Sequence, residues 1–279
     1  MGIHADRIAI VTGGGSGIGR ATAARLAAEG ARVCVADIDF ANAETVAKEI
    51  AEAGGEAFAC GVDVAEEAGN ERMVEATVAR YGALHLVHLN AGVAKFSSIV
   101  DGDVELWRRV VDINLTGVYL GMRSAAKPLI AGGGGVIVAT ASIAGLVGGV
   151  GMPSYYATKH GVVGLVKSAA AELAPHSIRV AAVCPGVIDT PILGPAHGVA
   201  EITDGVLAQG QLIKRCGQPD EIARVVSFLM SDQASFVTGT AWPVDGGMTA
   251  AIGIGGDGED DAALEQMIGG FSAGSKAID

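Results

Sequence analysis

The chain has 279 residues, half of them hydrophobic, which is near the upper size for one compact core and predicts a single large domain. Its formal charge of -12 excludes a nucleic-acid partner, because a protein that grips phosphate backbones needs a basic surface to displace counterions. Cys34, Cys60, Cys184 and Cys216 are scattered without a Cys-x-x-Cys pair, which fits reduced thiols in a cytoplasmic protein and neither a disulfide frame nor a metal site.

The opening stretch, MGIHADRIAIV, has no basic region leading into a long apolar run, and Asp6 stands where a myristoylation pattern wants Ser or Thr; no export or lipid signal is expected. Short β-branched runs then recur along the chain: RIAIVT, RVCVAD, EAFACGVDV, LHLVHLN, GVIVAT, IRVAAVCP and TAWPVDGG. Most are separated by Ala-, Glu- and Arg-rich stretches with helical spacing. Apolar strands without polar alternation are buried on both faces, and strands alternating with helices form a parallel sheet, so the prediction is a doubly wound α/β fold. Even the greasiest stretch, GVIVATASIAGLVGGVG, is broken by Gly, Ser and Thr, so no membrane span is expected.

After the first strand comes VTGGGSGIGRATAARLAAEG, a glycine-rich bend that opens a helix. Residues without Cβ let backbone N–H groups approach a pyrophosphate, and the positive end of the helix dipole lies at the same place. The spelling is T-G-x-x-x-G-x-G, carried by Thr12, Gly13, Gly17 and Gly19. Asp37 ends the second strand, where a carboxylate can accept hydrogen bonds from both hydroxyls of an adenosine ribose. The same charge repels a 2′-phosphate, and neither Ser16 nor Ile38 brings a cation to neutralise one, so NAD is expected over NADP. The competing role for Asp37 is a cap on the next helix.

Further on, His85 and His88 resemble a ligand pair, but a three-residue offset along a strand sends them to opposite faces, and no metal is expected. A helix from about Ser154 to Ala174 carries apolar residues around most of its circumference and therefore needs cover on more than one side, from the sheet, a neighbouring helix or a second subunit. At its start, SYYATKHG puts Tyr155 and Tyr156 within one turn of Lys159. A cation near a phenol favours the phenolate and makes it a general base near neutral pH. Spacings of three and four both lie on one helical face, so the interval alone does not choose between the tyrosines. Beyond Thr190, roughly to residue 215, a loop with short helices reads as a lid, with Ile192, Leu193, Val199, Ile202, Val206, Leu207, Leu212 and Ile213 either lining a pocket or packing the lid down. The texture changes again after residue 251, and 252–279 reads as a Gly-rich acidic extension to a domain spanning 1–251.

Taken together, TGGGSGIG, Asp37, DV at Asp63, NAG at Asn90, Asn114 in DINLTG, Ser142 in TASIAG, YYATK, PGVIDT, RCGQPDEIA and FVTGTAWPVDGG resemble the short-chain dehydrogenase/reductase family from Thr12 to Gly247. That resemblance implies a Rossmann fold with a central parallel sheet of about seven strands flanked by helices on both faces. The family pattern Y-x-x-x-K selects Tyr155, with Lys159, and makes Tyr156 a neighbour. By the resemblance, Tyr155 exchanges a proton with an alcohol or ketone oxygen while a hydride moves to or from NAD. Lys159 holds the nicotinamide ribose and lowers the Tyr155 pKa, Ser142 orients the substrate oxygen, and Asn114 holds a water that links Lys159 to solvent. Gly13, Ser16, Gly17, Ile18, Gly19, Asp37 and Ile38 meet the cofactor's adenosine and phosphate half. Asp63 and the Val64 backbone meet the adenine; Asn90, Ala91 and Gly92 line the cleft; Pro185, Gly186, Ile188 and Thr190 reach the nicotinamide carboxamide and a phosphate. A fairly apolar small-molecule secondary alcohol or ketone is expected as substrate, and a homotetramer as the assembly. The alternatives are an NADP-dependent 3-oxoacyl-thioester reductase and a dinucleotide-sensing module without turnover.

Overall fold

The β-branched runs become seven strands: β1 (Ile8–Thr12), β2 (Arg32–Asp37), β3 (Glu56–Gly61), β4 (Leu86–Leu89), β5 (Gly135–Thr140), β6 (Ile178–Pro185) and β7 (Ala241–Val244). They come from a computed structural model that describes residues 2–193 and 210–250. All neighbours are parallel, in the order β3-β2-β1-β4-β5-β6-β7. A parallel pair cannot be joined by a hairpin, so each connection crosses the sheet, mostly through helices. These are α1 (Gly17–Ala28), α2 (Phe40–Glu52), α3 (Glu67–Tyr81), α4 (Val104–Val111), α5 (Gly117–Ala131), α6 (Pro153–Leu173) and α7 (Pro219–Met230).

The strands are apolar on both faces because both faces are covered. Ala9, Val11, Val33 and Val35 pack with Leu26 of α1, Val46 of α2 and Val226 of α7. Ile10, Cys34, Val87 and Ile137 point the other way, onto Met73 of α3, Met122 of α5 and Val166 of α6. The order in which strands are added reverses between β1 and β4, and the crevice this opens at the strands' carboxyl ends is where such sheets take ligands.

Helix α6 begins one residue earlier than expected, with Pro153 in its first turn, a position where a missing N–H costs nothing. Its inner side, with Val162, Val166, Ala170 and Leu173, is buried; Ala157, Gly164, Ser168 and Ala171 are exposed. The chain's own fold thus covers one side of a helix that is apolar around most of its girth.

The two strand histidines take separate partners: His85 Nδ1 accepts from the Ile8 N–H at 3.0 Å, and buried His88 Nε2 meets Thr140 Oγ1 at 2.9 Å. None of the four cysteines is in a disulfide. Among the described residues no helix is long and apolar enough to cross a membrane. Most of the lid, with Val199, Ile202, Val206 and Leu207, and the extension 252–279 lie outside the described residues.

Candidate functional site

A cleft of about 610 Å³ runs along the carboxyl ends of the strands, within the size range of small-ligand sites. One end is built by the bend between β1 and α1. Gly13 and Gly17 have φ of 61° and 48°, the left-handed region that residues with a Cβ avoid. A Cβ on Gly13 would also lie 2.9 Å from Ala91 Cα, so this glycine is required by conformation and by space. Ser16 is the N-cap of α1, yet its hydroxyl caps nothing and stays available to a ligand at the helix N-terminus. Thr190 leans over the bend, its methyl 3.1 Å from where a Cβ on Gly17 would sit.

Asp37 lines the same end, beside Ile38. Its Oδ2 accepts the Gly15 N–H at 2.9 Å and its Oδ1 the Asp39 N–H at 3.0 Å. The cap of α2 is Asp39, which accepts from Ala41 and Asn42, so the capping role considered for Asp37 falls to its neighbour. A carboxylate has about four lone-pair sites, and these two backbone bonds leave acceptor capacity on both oxygens. Asp63 sits further along, accepting the Ala65 N–H at 3.0 Å and pairing with Arg109 at 3.3 Å. Arg109 lines the cleft too, and no motif in the sequence pointed to it.

Behind the bend, Asn90 ties three strand ends together. Its Nδ2 donates to the carbonyls of Thr12 and Gly13 at 3.2 and 3.3 Å, while its Oδ1 accepts from Thr140 Oγ1 at 3.0 Å. Since Thr140 spends its proton on Asn90, His88 must donate to Thr140 from Nε2, and burial keeps His88 neutral by lowering its pKa to about 3. The Asn90 amide therefore holds the glycine-rich bend from behind; only the rest of the residue faces the cleft.

The other end gathers Ser142, Tyr155 and Lys159. Ser142, 7% exposed, accepts the Ala144 N–H at 3.1 Å and stands near enough to the Tyr155 phenol to lower its pKa. Lys159, 3% exposed, stands one turn further down α6 and donates to the Thr140 carbonyl at 2.7 Å, its Nζ 5.5 Å from the Tyr155 ring centre. Gly92 makes room: a Cβ there would lie 3.3 Å from Asn114 Oδ1 and 3.6 Å from Lys159 Nζ. Tyr156 lines the cleft but its hydroxyl lies against Gly149, where any Cβ would collide with it. Nearness to Ser142 thus distinguishes two tyrosines that helical spacing left equivalent.

Two residues named from the sequence stand behind the lining. Gly19 is inside the first turn of α1, packed on the Gly13 carbonyl and the Asn90 amide. Asn114 is fully buried in a π-helical turn, Asp112–Thr116, where α4 runs into α5. Its Oδ1 accepts from Val93 N and its Nδ2 donates to Val93 O, both at 2.8 Å. The side chain is thus spent on Val93. Val93, Met152, Tyr156 and Val187 also line the cleft; Val93, Tyr156 and Val187 adjoin motif residues, and that adjacency was the signal available for them in the sequence.

The protonation balance differs from the expected one. Burial pushes the Tyr155 phenol above its ordinary value, partly offset by the nearby Ser142, while the Lys159 ammonium donates to the Thr140 carbonyl. Burial lowers Lys159 itself to about 8. Between about pH 8 and 10.5 the unfolded chain therefore binds more protons than the folded one, so stability rises with pH across that window and the cost of burying the ammonium is complete below it. At about 1.36 kcal/mol per pH unit this cost is roughly 3 kcal/mol. Lys159→Met is expected to flatten stability against pH between 8 and 10.5 and to raise the melting temperature at pH 7, as read by thermal denaturation across that range.

Comparison with known proteins follows this geometry. Residues 13–249 match a family model described as enoyl-(acyl carrier protein) reductase, of the short-chain type. The chain is 44% identical over 246 residues to the cyclohexanol dehydrogenase of Acinetobacter sp. (strain SE19), covering 88% of this chain and 96% of that protein. This chain is a short-chain dehydrogenase/reductase. The family's members are oxidoreductases that use nicotinamide dinucleotides. A second relative, the cis-4-hydroxycyclohexanecarboxylate dehydrogenase of Sinomonas cyclohexanicum, is 41% identical, covering 88% of this chain and 98% of its own. The crystal structure of levodione reductase superposes with a TM-score of 0.83 at 38% identity, covering 89% of this short-chain dehydrogenase/reductase and 99% of the other chain. A short-chain type dehydrogenase/reductase from Mycobacterium marinum gives a TM-score of 0.85 at 32% identity, covering 89% and 97%.

Proposed function

We propose that this dehydrogenase transfers a hydride between NAD(H) and a fairly apolar secondary alcohol or ketone, with an alicyclic ring as the best-supported skeleton. The observation that carries the reading is Ser142, Tyr155 and buried Lys159 gathered at one end of a single cleft that has Asp37 at its far end. The ring preference draws on relatives named for cyclohexanol and cis-4-hydroxycyclohexanecarboxylate.

The residues fit a dinucleotide: two left-handed glycines that exclude a Cβ, an unused Ser16 hydroxyl at a helix N-terminus, and a carboxylate with spare acceptor capacity one strand away. Gly13, Ser16, Gly17, Ile18 and Gly19 would cradle the pyrophosphate, Asp37 the adenosine ribose, and Asp63 with Val64 the adenine. Pro185, Gly186, Ile188 and Thr190 would hold the nicotinamide end. When bound, the nicotinamide supplies the site to which, or from which, the hydride moves.

In the oxidative direction, Tyr155 takes the proton of the alcohol hydroxyl as the C–H pair of electrons departs; in reduction it returns that proton to the carbonyl oxygen. Ser142, beside Tyr155 in the cleft, would orient and polarise the same oxygen, a preorganised donor placed where charge develops. Lys159 would hold the nicotinamide ribose and, as a cation near the phenol, would favour its ionised form. Asn114 fixes the loop at Val93 and positions a water behind Lys159.

Asp37 disfavours a 2′-phosphate, hence NAD over NADP. The open side of α6 and the exposed Trp107 and Tyr119 support a homotetramer, and the free thiols support a cytoplasmic setting. A carrier-bound oxoacyl substrate, which the family model's description would favour, is opposed by the net charge of -12 and by Asp37. A sensing role without turnover is opposed by the intact set of Ser142, Tyr155 and Lys159.

The test is a screen of secondary alcohols and ketones, followed by absorbance of the reduced nicotinamide, with NAD and NADP in parallel. Cyclohexanol-type alcohols with NAD are expected to turn over fastest. Turnover confined to acyl thioesters with NADPH would reject the assignment.

A further inference from the structure

Where the described chain resumes after residue 209, Gln211 has no counterpart in the catalytic scheme, yet it is a polar side chain only 2% exposed and fully bonded. Its Oε1 accepts the Val187 N–H at 2.8 Å. Its Nε2 donates to the Arg215 carbonyl at 2.6 Å and to the Ile213 carbonyl at 3.4 Å. Two glycines leave the space it fills: a Cβ on Gly186 would lie 2.6 Å from its Oε1, and one on Gly246 3.4 Å from its Cβ and Nε2.

The bond to Val187 completes a pattern on the segment after β6. Gly186 N–H donates to the Val244 carbonyl at 3.1 Å, Val187 O accepts from Gly217 N–H at 2.9 Å, and Asp189 N–H donates to Gly217 O at 2.9 Å. Ile188 forms an isolated parallel bridge with Gly217. In that geometry the polar groups of residues 187 and 189 face Gly217, so the N–H and C=O of Ile188 point away from it. Ile188 lines the cleft, and among the described residues its carbonyl meets only the Thr190 hydroxyl, at a long 3.4 Å.

We propose that Gln211 is a positioning residue for the nicotinamide end of the cleft: by holding Val187, it fixes the rotation of the backbone that presents Ile188 N–H and C=O to the ligand. The inference rests on the dinucleotide reading above and specifies which side chain sets that end of it. Met has nearly the size of Gln and offers Val187 no comparable acceptor, leaving a buried N–H unpaired. The turn then rotates to find another partner, and Ile188 rotates with it.

The test compares two probes on the full chain: NADH, which reaches the nicotinamide end, and ADP-ribose, which stops short of it. In Gln211→Met, the dissociation constant for NADH is expected to rise on the order of tenfold while that for ADP-ribose stays within about twofold. An equal change for both probes, or none for either, overturns the proposal while leaving the dinucleotide reading intact. Wild-type protein that binds neither probe overturns both. Should Gln211→Met fail to fold, Gln211→Glu keeps an acceptor against Val187 and loses the two donors. A wild-type ratio of the two affinities in Gln211→Glu supports the proposal, and a tenfold loss confined to NADH overturns it.

Discussion

Tyr155→Phe is expected to lower turnover by about 10²- to 10⁴-fold, the range that general acid–base groups contribute, while the dissociation constant for NADH stays within about twofold. The substitution removes one oxygen from a ring that keeps its place at the end of the cleft, so the wall against which the nicotinamide would lie is preserved. What disappears is the proton carrier beside Ser142. Tyr156→Phe is the matched control, since its hydroxyl rests against Gly149. It should retain activity within about threefold, a surface-like effect. Stopped-flow turnover with a fluorescence titration of NADH reads both, and a loss in Tyr156→Phe equal to that in Tyr155→Phe would sink the assignment of the acid–base group.

Asp37→Ala is expected to weaken NAD binding by about ten- to a hundredfold, the loss of hydrogen bonds to a charged group, and to narrow the preference over NADP. Two effects are superposed in that variant. The carboxylate also accepts the Gly15 and Asp39 N–H groups, so removing it loosens the bend as well as the ribose contact. Asp37→Asn separates them: its amide can still accept one backbone bond, but it carries no charge to repel a phosphate. The ratio of kcat/KM for NAD to that for NADP should fall in both variants, and most of the fall should already be present in Asn. A ratio unchanged from wild type in both would reject the ribose role.

Much of this protein was legible because the relevant physics is local. β-branched runs form strands whatever lies beside them, and seven of them separated by helix-length stretches leave little choice but a parallel sheet. A glycine at positive φ is demanded by its own backbone, so the bend from Gly13 to Gly19 could be read as a place where main-chain N–H groups meet a ligand. Asp37 at the end of β2 follows from the length of one strand-helix-strand unit. These features depend on spacing and on the absence or presence of a Cβ, both written in the chain.

Tertiary structure decided everything that required two distant segments to meet. Tyr155 and Tyr156 occupy the same turn of α6, and the fold gives them different surroundings: Tyr155 stands beside Ser142 from the end of β5, while the Tyr156 hydroxyl rests against Gly149. Asn90 lines the cleft while its amide is spent on Thr12 and Gly13, and the Asn114 amide is spent on Val93, because buried polar atoms take backbone partners within reach. The phenol is raised and the lysine lowered for the same reason: burial penalises whichever form is charged, and how deeply each group lies is a property of the folded crevice. Arg109 on Asp63, and Gln211 on Val187, join segments whose encounter no local pattern encodes, since their contacts exist only after the helices have crossed the sheet.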